Sequence, residues 1–211
     1  MEVLINTGDA PFATLLFAHG AGAPMDAAVM TRCTEALCQA GFRVARFEFA
    51  YMAARRNGQR KPPPKAETLI VEYRAAVAAL DAPDPLIIGG KSMGGRVASM
   101  VADELHAQAK VAGLFCLGYP FHPPAKPEQL RTAHLMDLKT PALICQGTRD
   151  LFGTQDDVAG YDLPASIEIR WFEDGDHDLK PRKSVSGFTH DDHLTAMAEA
   201  VAVWARRIIA R

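Results

Sequence analysis

No apolar run in the chain approaches the roughly 18 residues that a membrane-spanning helix needs. The opening residues, MEVLINTGDAPF, lack both the basic start and the apolar stretch of about 7–15 residues that mark a secretory leader. Cysteine is scarce, and Cys33, Cys38, Cys116 and Cys145 form no C-x-x-C pair. All four fall in apolar or periodic stretches, so they read as reduced, buried thiols. The expectation is a soluble, cytoplasmic protein with no membrane partner. Positive charge is not in excess either: 23 Lys and Arg face 25 Asp and Glu, a formal net charge of -2. A general nucleic-acid binder would need a basic face, so nucleic acid is not an expected partner. Neither G-x-x-x-x-G-K-[ST] nor G-x-G-x-x-G occurs, which removes the common phosphate-binding turns. There is no internal repeat and no linker, so residues 1–211 read as a single domain large enough to bury a core.

What is present alternates. Short β-like runs at 14–18, 43–49, 85–89, 111–117, 142–146 and 167–172 are separated by helix-like stretches at 26–40, 67–80, 93–107 and 188–210. That order predicts an α/β fold, a mostly parallel central sheet with helices on both faces. On the first of the later helices, Leu69, Ile70, Tyr73, Val77 and Leu80 form the buried side; on the last, Leu194, Met197, Val201, Trp204 and Ile208 do. Residues 51–65 and 118–137 fit neither pattern. Both are long for connections in a compact domain, and such loops are often functional. With no large cap domain inserted, the pocket is expected to be shallow and roofed by these two loops.

Gly90-Lys91-Ser92-Met93-Gly94 is a G-x-S-x-G match, and its context gives it weight. It follows an apolar strand and opens a helix, as a nucleophile elbow requires. The serine sits in a strained turn that lifts its hydroxyl clear of the sheet, and the glycines let strand and helix approach. A turn whose serine only caps the helix is the competing reading. A serine hydroxyl needs a base, and the base needs an orienting carboxylate. In chain order, the strand PALICQ runs into Asp150 and the strand IEIRWF into His177. Ser92, Asp150 and His177 are therefore the candidate catalytic residues, with Asp137 and Asp156 as fallback acids. The strand TLLFA ends in His19-Gly20-Ala21-Gly22. An N–H of Ala21 and that of Met93 are the expected oxyanion hole, and His19 is expected to brace the loop. Gly22, Lys91, Tyr119 and His122 are the candidate substrate contacts. The alternating Asp174, Asp176 and Asp178 lack the glycine and distal glutamate of a calcium loop, so neither metal nor cofactor is expected.

The elbow GGKSMGGR, the loop HGAGAPMD, and the runs FEDGDHDLKPRK, LGYPFHPPAKPEQLRTAHL and ICQGTRDLFGT resemble one family of small α/β-hydrolases. It is the family related to testis-expressed protein 30 and to subunit 3 of the human NSL histone acetyltransferase complex; a looser likeness joins it to dienelactone-hydrolase-like enzymes. The resemblance implies the α/β-hydrolase fold, a triad at Ser92, Asp150 and His177, and, since some members look like complex subunits, a protein partner by family analogy. The expected function is that of a cytoplasmic serine hydrolase, an esterase or thioesterase acting on a small-molecule acyl substrate. A non-catalytic scaffold and an acyltransferase using the same triad are the alternatives. Lys91, Lys180, Arg182, Lys183, Arg55, Arg56, Arg60 and Lys61 leave two readings open: ordinary solvated cations, or a basic rim that selects anionic substrates.

Overall fold

The computed structural model describes residues 2–59 and 62–210. In chain order it sets β1 (Val3–Thr7), β2 (Ala13–Ala18), α1 (Ala28–Gln39), β3 (Phe42–Phe47) and α2 (Ala50–Arg56). A single 3-10 turn, Ala66–Leu69, then leads into α3 (Ile70–Ala79). β4 (Leu86–Lys91), α4 (Met93–Ser99), α5 (Ala102–Ala107) and β5 (Gly113–Leu117) follow. The chain continues through β6 (Ala142–Gly147), α6 (Gln155–Ala159), β7 (Ile167–Phe172), α7 (Lys183–Ser186) and α8 (His190–Ile209).

The strands form one sheet in the order β1-β3-β2-β4-β5-β6-β7, parallel throughout except for β1, which runs antiparallel to β3. The sequence dictates this burial. β2, β4, β5 and β6 are apolar runs whose every residue is buried, as strands covered on both faces must be. One face carries α3, α4 and α5 through Tyr73, Val97, Ala98 and Ile88. The other carries α1 and α8 through Met30, Leu37, Met197, Val201 and Trp204. Thr189 caps α8 in a reciprocal box with Asp192. All four cysteines are free, and three of them are buried. Among the described residues no helix is long and apolar enough to cross a membrane.

Three local features differ from the sequence pattern. β1 was not anticipated: it is a short edge strand whose last three residues are exposed, so it carries little periodic signal. The stretch 93–107 is two helices, because the Met100 and Val101 N–H groups bond three residues back to Val97 and Ala98 and tighten the turn. The unassigned stretch 51–65 begins inside α2, which Arg56 anchors by pairing with Glu48 and Asp26.

Candidate active site

Ser92 stands between β4 and α4 with φ 52° and ψ -119°, a conformation costly to a residue with a side chain, on the order of ~1–3 kcal/mol. Both sides of the turn hold it there. The Ser92 N–H donates to the Leu117 carbonyl on β5 at 2.9 Å, and the Ser92 carbonyl accepts from Arg96 N–H at 3.0 Å. Gly94 makes the turn sterically feasible: a Cβ there would lie 2.5 Å from the Ala18 carbonyl oxygen and 2.6 Å from that of His19.

Two later strand ends bring the acid and base. Asp150, just past β6, is fully buried. Its Oδ2 lies 2.8 Å from His177 Nδ1, and it also accepts from Gln146 Nε2 at 2.9 Å. Its Oδ1 accepts the Phe152 N–H at 2.9 Å. Three hydrogen bonds, two to one oxygen and one to the other, fix the orientation of this buried carboxylate. With Nδ1 committed to Asp150, Nε2 is the nitrogen that can take up a proton. His177 is seated from several directions. The Phe152 ring lies 4.3 Å from its ring, centroid to centroid, and Lys91 Nζ donates to its carbonyl at 3.1 Å. Gly118, at φ 61°, leaves the space the imidazole fills, since a Cβ there would be 3.2 Å from His177 Nδ1. Gly118 directly follows Leu117, the acceptor of the Ser92 N–H, so Ser92 and His177 flank the same end of β5. No hydrogen bond joins Ser92 Oγ to His177 in this conformation; such bonds are often long in unliganded sites. The fallback acids Asp137 and Asp156 are exposed and do not bond His177.

The peptide geometry of the two expected oxyanion donors can be read from their carbonyls. The Gly20 carbonyl lies 2.7 Å from His19 Nδ1, and the Ala21 carbonyl accepts from Tyr51 Oη at 3.0 Å. His19 Nε2 accepts the Phe49 N–H at 3.2 Å, so Nδ1 carries the proton, and burial holds the ring neutral by lowering its pKa. His19 thus braces the loop. In a trans peptide the N–H points opposite to the carbonyl, so the Ala21 N–H points away from His19. By the same rule the Met93 N–H points out of α4, because the Ser92 carbonyl is turned along the helix to Arg96. Ala21, Ser92 and Met93 line one cleft of about 330 Å³, walled also by Pro63, Pro64 and Lys65 from one long loop and Pro120 and Arg131 from the other.

The four expected substrate contacts stand elsewhere. Lys91 is buried on the α1 and α8 side of the sheet, where β4 alternation sends it, and is paired with Asp178 at 2.7 Å. Tyr119 is fully buried, with its hydroxyl donating to the Arg131 carbonyl at 3.1 Å. His122 is buried with its Nδ1 on the Pro123 carbonyl, and Gly22 is exposed outside the cleft lining. Of the two readings left open for the basic residues, their dispersal favours ordinary surface cations over a rim. Arg56 is held by Glu48 and Asp26, Arg182 by Asp174, and Arg55 lies over the Tyr51 ring. Lys180 and Lys183 are exposed and outside the cleft lining, and Arg60 and Lys61 lie outside the described residues. The acidic run is likewise spent locally: Asp176 accepts the Asp178 and Lys180 N–H groups. Reading by motif missed Gln146, Phe152, Arg96 and Arg131. Gln146, an amide ending an otherwise apolar strand, was the one with a visible signal.

Comparison with known proteins agrees with this architecture. No curated protein matches the chain. Among solved structures it is similar to a lidless a/b serine hydrolase of Xanthomonas campestris, with TM-score 0.71 and 19% identity over 97% of this chain and 88% of that one. It is similar to the esterase domain of a Rhodothermus marinus protein, with TM-score 0.64 and 20% identity over 96% and 91%. It is also similar to dienelactone hydrolase of Anabaena variabilis, with TM-score 0.65 and 19% identity over 97% and 90%. At these identities the likeness speaks for the fold. Residues 11–206 match the alpha/beta hydrolase domain family, and the chain belongs to that family.

Proposed function

We propose that the protein is a serine hydrolase that cleaves an ester, thioester or related acyl bond through Ser92, His177 and Asp150, with the sheet and both helical layers acting as one domain. Ser92 Oγ attacks the carbonyl carbon while His177 Nε2 takes its proton. Asp150 holds the ring and stabilises the imidazolium. The carbonyl oxygen becomes an oxyanion that the Ala21 and Met93 N–H groups receive; loss of one such donor costs on the order of ~3 kcal/mol in the transition state. The tetrahedral species collapses, His177 returns the proton to the leaving alcohol or thiol, and an acyl-Ser92 ester remains. Water, deprotonated by His177, then releases the acid and restores the serine. No step calls on a metal or cofactor.

The observation that carries this reading is the 2.8 Å contact of His177 Nδ1 with a fully buried Asp150, at the same sheet end as a serine in a strained turn. A protein keeping the fold only for binding has no need of that charge buried there. The motifs HGAGAPMD and FEDGDHDLKPRK support the narrower kinship with testis-expressed protein 30 and NSL subunit 3 inside the family. The test is Ser92→Ala assayed on p-nitrophenyl butyrate, with circular dichroism to verify the fold. Turnover should fall by about 10³-fold or more, in line with removal of a triad nucleophile. A folded variant that retains most wild-type turnover overturns the assignment.

A further inference from the structure

The whole chain is slightly acidic, yet the cleft beside Ser92 is not. Its charged lining residues are Lys65, Arg96 and Arg131 against one carboxylate, Glu67. Arg96 lies four residues after Ser92 and so rises on the same helical face. Its Nη2 donates to Glu67 at 2.5 Å, while its Nε is buried with no hydrogen-bond partner. Arg131 is fixed at its backbone: its N–H donates to the Phe121 carbonyl at 2.7 Å and its carbonyl accepts from Tyr119 Oη at 3.1 Å. Its guanidinium, by contrast, has no hydrogen bond or ion pair among the described residues, though the residue is half-buried and lines the cleft. Burial, and then the charge of Arg96, hold its pKa below the ordinary arginine value. Two guanidiniums repelling one another in a partly buried cleft, with the one carboxylate, Glu67, bonded to Arg96, are a cost to folding that a second anion would relieve.

We propose that Arg131 and Arg96 form an anion-binding subsite of the Ser92 cleft, and that the substrate is an ester or thioester bearing a carboxylate or phosphate away from the scissile bond. This rests on Ser92 being the nucleophile. A guanidinium fork matches either anion through paired hydrogen bonds, and Arg131 has its whole fork available. The subsite also places positive charge where the exposed basic residues of the surface do not.

The experiment compares kcat/KM for p-nitrophenyl hexanoate and p-nitrophenyl hemiadipate, esters of equal carbon count that differ by one carboxylate, in the wild type and in Arg131→Met. The wild type should prefer the hemiadipate, and less so at high salt. Arg131→Met should lower the hemiadipate-to-hexanoate ratio by about tenfold or more, the scale of a charge-assisted hydrogen bond. Arg131→Lys, which keeps the charge without the fork, should lower it less and serves if the methionine variant does not fold. Competitive inhibition by inorganic phosphate against inhibition by adipate separates the two sources of the anion. Ser92-dependent hexanoate turnover with an unchanged ratio in both variants overturns the subsite and leaves the hydrolase reading standing. If neither ester is turned over, the hydrolase reading falls, and calorimetry decides the subsite: adipate or phosphate binding that Arg131→Met weakens tenfold upholds it, and absence of binding overturns it.

Discussion

His134 lies behind the cleft with Nε2 2.8 Å from Ser99 Oγ and 3.3 Å from the Tyr119 hydroxyl. Burial, and after it the positive charge of Arg96, lower its pKa from 6.5 to about 4, with Glu67 opposing. Between these values the unfolded chain binds a proton that the folded chain refuses. Stability therefore falls as pH drops from about 6.5 toward 4, and this contribution levels off below. His134 is only half-buried, so the loss between pH 7 and pH 5 should be about 1 kcal/mol rather than the larger figure the full shift implies. His134→Gln removes the titration while leaving a side chain able to bond Ser99. Urea unfolding at the two pH values should show the variant losing less stability on acidification than the wild type by that amount. Equal losses would place the acid sensitivity elsewhere. Gln146 shows a different kind of residue effect. Its amide binds Asp150, both backbone groups of Tyr119 and the Gly153 carbonyl, so one side chain positions the acid and the start of the second long loop together. Its sequence neighbourhood marks it only as an amide in an otherwise apolar strand, which flags the residue but not its partners. Two of its four bonds reach Tyr119, 27 positions away.

α4 and β2 approach so closely at Gly94 that the helix touches the backbone leading into the His19–Gly22 loop. The sequence disclosed that glycines flanking Ser92 let the preceding strand and the helix approach closely, but not that β2 is the neighbour Gly94 meets. It did not disclose where α4 ends, since the break at Met100 and Val101 involves ordinary helix-compatible residues and arises from packing. A methyl group at position 94 would sit 2.5 Å from one carbonyl oxygen and 2.6 Å from another, both main-chain and unable to swing aside. Gly94→Ala must then push α4 off β2, and Ser92 and the Met93 N–H move with it. Overpacking of this kind costs roughly 1–3 kcal/mol. The variant should melt several degrees lower, and its kcat should fall by more than tenfold even where it remains folded. Wild-type turnover in a folded Gly94→Ala would mean that the elbow tolerates displacement.

Across the molecule, the sequence revealed the parallel strands and the two helical layers because each is a long apolar signal repeated several times. It revealed Asp150 and His177 as candidates because sites in such sheets gather at strand C-terminal ends. It misplaced Lys91 and Tyr119 because adjacency to a motif says nothing about which face of the sheet a side chain takes: Lys91 follows the strand alternation away from the cleft. Arg96 and Arg131 were unreadable as a pair, being brought together only by the packing of the second long loop against α4. That loop also bears on how the cleft opens. Tyr119 and Phe121 at its start and Leu135 and Leu138 at its end bury their side chains in the core, and the Arg131 N–H bonds the Phe121 carbonyl, which pins the cleft-lining parts of the loop while residues 124–130 lie exposed. The other wall is the proline-rich stretch at 63–65, short and followed at once by the 3-10 turn, with buried Ala66 and Leu69 anchoring it. Ser92 is already partly open to solvent between these walls. A lipase-like lid has to be displaced at an oil–water interface before the serine can react, and neither wall is built to move that way. Initial rates on p-nitrophenyl esters should therefore rise hyperbolically with concentration and pass through the solubility limit with no upward jump. They should also fall as the acyl chain outgrows a cleft of about 330 Å³. A sharp rate increase on emulsified substrate would show that a segment covers Ser92 in solution and that one of the two walls opens after all.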